Sequence, residues 1–155
     1  MRFTLLIPAL CLAFSSAPVA LAQAPSSAGC ALVKGYYQCN RASFAAALKE
    51  AKTVAVESKP FDQATANSLG RLVRTLDKTE ASDHADLTFV LIRTQAEGIN
   101  YGPSGRELAS FLVYARGPAG TERQLIWVET FDGEPDIAWP IVVYDIIRQF
   151  KASIR

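Results

Sequence analysis

The sequence has a single histidine, His84, and only three cysteines among its 155 residues. His84 lies in a polar connector with Asp83 and Asp86, whose carboxylates could orient the ring as a base or metal ligand. A zinc site or His-based catalytic site would need further histidine or free cysteine side chains, which the sequence lacks. We therefore interpret His84 as an exposed loop residue.

An excess of charge of one sign is also lacking, because 16 basic residues are balanced by 15 acidic ones. A protein that binds nucleic acid needs a basic face that displaces counterions from the phosphates. The sequence contains no such Lys/Arg cluster. A nucleic-acid partner is therefore not expected.

Long apolar runs are confined to the N-terminus, and none reaches the roughly 20 residues that a membrane-spanning helix needs. Arg2, the apolar residues 3–14 and Ala20-Leu21-Ala22 together have the form of a secretory signal with an A-x-A cleavage site. We expect residues 1–22 to be removed on export and residues 23–29 to form a flexible tether. The predicted mature chain has no transmembrane segment and folds as one domain over residues 30–155.

Cleavage would remove Cys11 and leave Cys30 and Cys39, an even pair in an oxidising compartment. A disulfide between them would close a short loop and stabilise by roughly 2–3 kcal/mol on the chain-entropy account. The alternative is a lipobox at Ser27-Ala28-Gly29-Cys30, with Cys30 acylated in the outer membrane. Ser27 is a poor substitute for the usual Leu, and acylation would leave Cys39 unpaired, so the disulfide is favoured.

The hydrophobic periodicity predicts the element order α-β-α-β-β-β-α. The predicted helices begin at Arg41 after an Asn40 cap, after an Asp62 cap, and at Pro140. The predicted strands cover residues 53–57, 85–94, 107–115 and 124–131, with a loop over residues 97–105 and a turn over residues 132–136. The fold class is therefore α+β: a single layered domain whose mixed sheet contains an antiparallel meander, with helices on at least one face.

Residues 85–94 form the most apolar and β-branched stretch after the N-terminal signal. Leu87, Phe89 and Leu91 share one face of this strand at a period of two. Thr88, Val90 and Ile92 share the other face. We predict an interior strand that is at least partly covered on both sides.

The acidic side chains at Asp132, Glu134 and Asp136 alternate as at the start of a calcium loop. The rest of that motif is missing, because Ile137 replaces the required Gly and Val143 replaces the bidentate Glu. We interpret these acids as a solvated turn and predict no metal or other cofactor.

Ser104 lies in Gly102-Pro103-Ser104-Gly105, which superficially resembles a nucleophile elbow or a phosphate loop. An elbow requires Gly two residues after the Ser, where this chain has Arg106, and no Lys-Ser/Thr pair follows as in a phosphate loop. A turn is the better interpretation. A hydrolase using Ser104 or the acids at 132–136 is the least favoured hypothesis, and no catalytic residue is predicted.

Aromatic and apolar side chains remain as candidates for an interface. If the helices leave one sheet face uncovered, its side chains must contact another segment or a partner. The predicted interface residues are Thr88, Val90, Ile92, Tyr101 and Trp127.

Several short motifs resemble a group of small bacterial envelope proteins that share one α+β domain. They are the export signal, Ala51-Lys52-Thr53-Val54-Ala55-Val56, the helix after Asp62, Ala85-Asp86-Leu87, Leu125-Ile126-Trp127 and the closing helix. The group includes the curli-secretion pore lipoprotein, the lipoprotein activator of penicillin-binding protein, the N-terminal domain of TolB and uncharacterised relatives. The resemblance covers about residues 50–155 and implies an assembly or docking module rather than an enzyme.

The leading hypothesis is therefore an exported, non-enzymatic module of the periplasm or extracellular space that binds another envelope protein or a cell-wall component. Homo-oligomer formation is compatible with it. The alternative is a periplasmic carrier of a small molecule or lipid, with a pocket between the sheet and the helices.

Overall fold

The computed structural model describes residues 29–98, 102–117, 122–135 and 137–155. The helices are α1 (Arg41–Glu50), α2 (Gln63–Thr75) and α3 (Trp139–Ser153). The strands are β1 (Cys30–Val33), β2 (Tyr36–Cys39), β3 (Thr53–Lys59), β4 (Thr79–Glu80), β5 (Leu87–Gly98), β6 (Gly102–Ala115) and β7 (Gln124–Pro135).

The main sheet has five strands in the order β4-β3-β5-β6-β7. β3 is parallel to both β4 and β5, whereas β5, β6 and β7 form an antiparallel meander. This arrangement confirms the predicted α+β class with a mixed sheet and a meander. The predicted seven elements are all present, in the predicted order, as α1, β3, α2, β5, β6, β7 and α3.

The helix starts follow the local signals in the sequence. The Asn40 side chain accepts a hydrogen bond from the Ser43 backbone N–H at 3.0 Å. The Asp62 carboxylate accepts one from the Thr65 backbone N–H at 2.7 Å, so both predicted caps are confirmed. α3 has Pro140 in its first turn, where the missing N–H costs no helical hydrogen bond.

The core lies between one face of the sheet and the three helices. Leu87, Phe89 and Leu91 of β5 point into it, as the alternation predicts. Phe150 of α3 is at its centre, with its ring centroid 5.7 Å from that of Phe89 and 4.7 Å from that of Phe111. Edge-to-face packing of this kind adds to the burial of large aromatic surfaces.

Two predicted loops are wrong in part, because the meander strands extend into them. Residues 99–101 of the first lie outside the described residues. β5 extends to Gly98 and β6 begins at Gly102, with the two glycines paired after a shift in register. Residues 102–105 therefore belong to β6 rather than to a turn. Glycine near a strand end tolerates such an irregularity, which is why the residues looked like a loop.

The predicted turn at residues 132–136 is also wrong for most of its length. β7 continues to Pro135, which pairs with Arg106 of β6. β7 lies at the edge of the sheet, where Pro is tolerated because no further strand needs its N–H. Asp136 lies outside the described residues.

A separate two-stranded hairpin, β1 with β2, precedes α1 and was not predicted. Cys30 pairs with Cys39 across it, and the predicted disulfide joins them with an S–S bond of 2.06 Å. The two strands are connected by Lys34 and Gly35, whose φ angles of 51° and 85° are left-handed. A two-residue turn between apolar stretches is the sequence signal that could have identified this hairpin.

Candidate functional site

All three helices contribute side chains to a single core on one side of the sheet. The opposite side carries Thr88, Val90 and Ile92 of β5, Ser110 and Leu112 of β6, and Val128 of β7. We call this side the open face, because no helix in the described ranges packs against it.

An apolar strip crosses the centre of the open face. In the strand register, Val90 of β5 lies opposite Leu112 of β6, and Leu112 lies opposite Val128 of β7. Leu112 and Val128 are partly exposed, whereas Val90 is only 2% exposed. Side chains of directly opposed residues in a sheet are in contact, so the three form a continuous apolar strip. Leu112 and Val128 supply its exposed part, and Val90 lies buried at its end.

Charged side chains enclose one side of this strip. The Arg123 guanidinium lies 5.4 Å from the centre of the Tyr114 ring and 2.6 Å from the Glu57 carboxylate oxygen Oε1. Tyr114 is on β6 and Glu57 is on β3, so Arg123 must pass over β5 to reach both. This bridge explains how Thr88, at 7% exposure, is buried without a covering helix.

The structure does not bring all the predicted interface residues together. Thr88, Val90 and Ile92 lie on the open face, and Tyr101 lies outside the described residues. Trp127 lies on the helical side of the sheet, where its ring stacks on Phe44 at a centroid distance of 4.6 Å. It cannot share one surface with the β5 residues, because strand pleating places it on the opposite face.

Two charged residues on the helical side were missed by the sequence analysis. Arg93 of β5 donates to both carboxylate oxygens of Glu107 on β6, with 3.0 Å from Nε to Oε2. The hydrogen bonds that Arg93 donates to Glu107 raise the pKa of Arg93. The sequence contained a signal, since Arg93 continues the series of Leu87, Phe89 and Leu91 on the helical side of β5. Its side chain is 41% exposed, and the carboxylate that it binds is the more buried partner.

These charges belong to a polar network at the start of α2 and α3. The Arg93 guanidinium lies 5.0 Å from the centre of the Trp139 ring, and Trp139 Nε1 donates to Thr65 Oγ1 at 3.0 Å. The Thr65 hydroxyl in turn donates to the Asp62 carboxylate. Hydrogen bonds from the Thr65 hydroxyl and backbone N–H lower the pKa of Asp62. The network fixes the first turns of the two helices next to each other.

A groove of about 870 Å³ lies between α2 and α3 and begins at this network. Its lining residues come from the two helices and from Asp62, with none from a strand. The carrier hypothesis placed the pocket between the sheet and the helices. The groove lies instead between two helices, because side chains of the core fill the space between the helices and the sheet.

His84 and Asp86, which the sequence suggested as partners, do not contact each other through their side chains in the described hydrogen bonds. His84 is exposed, and its backbone carbonyl accepts a hydrogen bond from Arg116. Asp86 does not orient His84, since its carboxylate accepts hydrogen bonds from the backbone N–H groups of Lys52 and Thr53. Within the described ranges, no group of three or more His, Cys, Asp or Glu side chains is arranged to hold a metal ion.

No helix in the part of the chain that the structure describes combines the length and apolar character needed to cross a bilayer.

Comparison with known proteins gives similarities of fold only. No family model and no curated protein matches the chain. The PelC dodecamer structure from Paraburkholderia phytofirmans is 10% identical with a TM-score of 0.42, and the match covers 67% of this chain and 89% of that chain. A minor lipoprotein from Acinetobacter baumannii is 16% identical with a TM-score of 0.32, covering 66% of this chain and 90% of that chain. Because both TM-scores are below 0.5, these matches carry no argument about the role of this chain.

Proposed function

We propose that this protein is an exported, non-enzymatic envelope module that binds another envelope component through its open face. One observation carries the proposal: all three helices pack on one side of the sheet, and no described helix covers the other side. A two-layer domain of this kind leaves half of its sheet surface for contact with a partner.

The composition of the open face supports a protein partner. The strip of Val90, Leu112 and Val128 is apolar, and burying the exposed part of Leu112 and Val128 would contribute about 25 cal/mol per Å². Glu57 and Arg123 form an ion pair beside it, with side chains 34% and 48% exposed. An apolar centre with a charged rim is the usual anatomy of a protein–protein interface.

Export is supported by two features of the N-terminal region. The signal-like residues 1–22 predict secretion, and the Cys30–Cys39 disulfide fits an oxidising compartment. Because Cys30 is bonded to Cys39, its sulfur is not free for acylation. A disulfide-bonded periplasmic or extracellular protein is the form that we propose.

The proposal is tested by affinity capture from envelope extract with two matched variants. Leu112→Arg places a charge in the centre of the apolar strip, and Ala46→Arg places the same charge on the exposed side of α1. We expect a component that the wild-type protein and Ala46→Arg capture equally and that Leu112→Arg fails to capture. Equal capture by all three proteins, with Leu112→Arg folded by circular dichroism, would reject the open face as the binding surface.

The second candidate is a carrier of a small molecule or lipid. The observation that favours it is the groove between α2 and α3, whose volume falls in the range of ligand sites, about 300–1,000 Å³. The groove lies on the helical side of the sheet, so this function is compatible with docking through the open face.

A further inference from the structure

We propose that the groove between α2 and α3 binds a single-chain amphiphile with an anionic head group. The alkyl chain lies between the apolar side chains of the two helices, and the head group binds Arg71, Arg148 and Lys151. This inference rests on the carrier function, the second candidate above, and names its ligand class.

The direction of the helices gives the groove two chemically different ends. β3 and β7 run in the same direction, because one parallel step and two antiparallel steps separate them. The helices that follow them, α2 and α3, therefore also run in the same direction. Their first turns meet where Trp139 donates to Thr65 at 3.0 Å, so their C-terminal halves form the other end of the groove.

The middle of the groove is apolar on the α3 side, whereas α2 contributes Ser68 beside Leu72. Leu72 and Val143 are 1% and 4% exposed and form its floor, while Ile147 is partly buried. Tyr144 is 68% exposed and forms part of the rim. The α2 segment from Thr65 to Thr75 is about 15 Å long at a rise of about 1.5 Å per residue, which suits an extended alkyl chain of medium length.

The positive charge is concentrated toward the C-terminal half of the groove. Arg71 of α2 and Arg148 and Lys151 of α3 line this part. Arg148 pairs with Asp145 at 3.1 Å, whereas neither Arg71 nor Lys151 forms an ion pair with an acidic side chain of the described residues. The negative ends of two helix dipoles, about half a charge each, offset only part of this positive charge.

The acidic group that lines the groove is at the opposite end. Asp62 caps α2, and both the N–H and the hydroxyl of Thr65 donate to its carboxylate. It is therefore engaged within the protein and remote from the cationic end. A ligand with a cationic head would meet Arg71 and Lys151 without a compensating acid, whereas an anionic head would be attracted to them.

The test is calorimetric titration of the exported protein with decyl phosphate below its micelle-forming concentration. Decanol, decyltrimethylammonium and inorganic phosphate are titrated in parallel, so that chain and head group are varied separately. We expect saturable binding of decyl phosphate, with each of the other three probes weaker by about tenfold or more. Addition of salt should weaken decyl phosphate binding, because the rim charges are exposed.

Two double variants locate the binding. Arg71→Gln with Lys151→Gln should weaken decyl phosphate binding by about tenfold, which corresponds to about 1.4 kcal/mol. Lys49→Gln with Lys52→Gln removes the same charge outside the groove and should leave the affinity unchanged. Tyr144→Ser should weaken decyl phosphate and decanol alike, because it shortens the apolar wall. Thermal unfolding of each variant checks that the protein remains folded.

The outcomes separate this inference from the function on which it rests. Equal affinity for decyl phosphate and decanol would overturn the anionic head group and leave the carrier function standing. Absence of binding by every probe would overturn both. Binding to vesicles of anionic phospholipid without saturable binding of decyl phosphate would overturn the groove as the site. Leu112→Arg should bind decyl phosphate like the wild type, since the open face is on the other side of the sheet.

Discussion

At the scale of single residues, Asp86 connects the starts of two neighbouring strands. Its Oδ2 atom accepts hydrogen bonds from the backbone N–H groups of Lys52 and Thr53, at 2.8 and 2.9 Å, and from the Thr53 hydroxyl at 3.0 Å. These donors lower the pKa of Asp86 below its ordinary value of 3.8. The carboxylate thus fixes the position of β3 against β5 where their parallel pairing begins.

The contribution of Asp86 should depend on pH. A carboxyl group with a lowered pKa in the folded state stabilises fully above its unfolded pKa, and this stabilisation is lost as the pH falls through the folded pKa. We expect Asp86→Asn to reduce the free energy of unfolding by about 1 kcal/mol near neutral pH, allowing for solvent screening. Well below pH 3.8 the difference from wild type should shrink.

Urea unfolding of both proteins across this pH range measures the difference. If the free energy of unfolding of Asp86→Asn stays below that of wild type by the same amount from neutral to acid pH, the charge of Asp86 does not contribute to stability.

The residues that sequence analysis placed correctly are those governed by local contacts. Asn40 and Asp62 were predicted as helix caps because a cap depends only on the next few residues. Trp127 was assigned to the interface, yet it stacks on Phe44 in the core. Its direction depends on the register of β7, which shifts at the irregularity between Val113 and Tyr114. Such a shift changes the face of a side chain and has no local sequence signal.

At the scale of elements, the hairpin of β1 and β2 depends on its covalent closure. It forms a sheet of its own, and a two-stranded hairpin is marginally stable in water. Its side chains Leu32, Tyr36 and Tyr37 are more than half exposed. The hairpin therefore lacks a core of its own, and its order rests on the disulfide and on contact with β7 near Leu125.

Replacement of both Cys30 and Cys39 by Ser should loosen the hairpin and leave the main sheet intact. Loss of the disulfide should destabilise the hairpin by roughly 2–3 kcal/mol on the chain-entropy account. This exceeds the stability of an isolated hairpin. Hydrogen exchange followed by mass spectrometry should show faster exchange in β1 and β2 and unchanged exchange in β5. Equal acceleration in β5 would show that the disulfide supports the whole domain.

Element types were easier to predict than element ends. The strand β5 was recognisable because the stretch from Leu87 to Ile92 is almost wholly apolar and rich in β-branched residues. The ends of β5, β6 and β7 were not visible, since these stretches carry glycine and proline, which are uncommon inside strands. Their assignment to strands rests on pairing between distant residues, which leaves little trace in the sequence.

At the scale of the whole molecule, our proposal assigns the core to one sheet face and partner binding to the other. Trp127→Ala should lower the free energy of unfolding by about 3 kcal/mol, because it removes a large ring that stacks on Phe44 in the core. Leu112→Arg should cost less than about 1 kcal/mol, since Leu112 is partly exposed on the open face. Chemical unfolding of both variants gives the two values.

The two variants should have the opposite order of effect on partner capture: the variant that costs less stability should lose more capture. Folded Trp127→Ala should capture the envelope component normally, and Leu112→Arg should not. If Trp127→Ala lost capture while still folded, the interface predicted from the sequence would regain support.

The fold class could be predicted from the sequence, but the sheet face that the helices leave uncovered could not. Periodicity and element order gave an α+β domain with a meander, because each element must bury an apolar face. Which face of β5 would be covered could not be read from the sequence, since Leu87 and Val90 are equally apolar. The packing of all three helices on the side of Leu87 is what leaves the side of Val90 as the open face.

The central claim is tested most directly by photo-crosslinking in the envelope with a photoreactive residue at one position at a time. Ser110 and Val128 sample the open face, Ala46 and Lys49 sample α1, and Tyr36 samples the exposed hairpin. We predict that Ser110 and Val128 give the same crosslinked partner and that Ala46, Lys49 and Tyr36 do not. Crosslinks to a partner from the hairpin or α1, with none from Ser110 or Val128, would contradict the account.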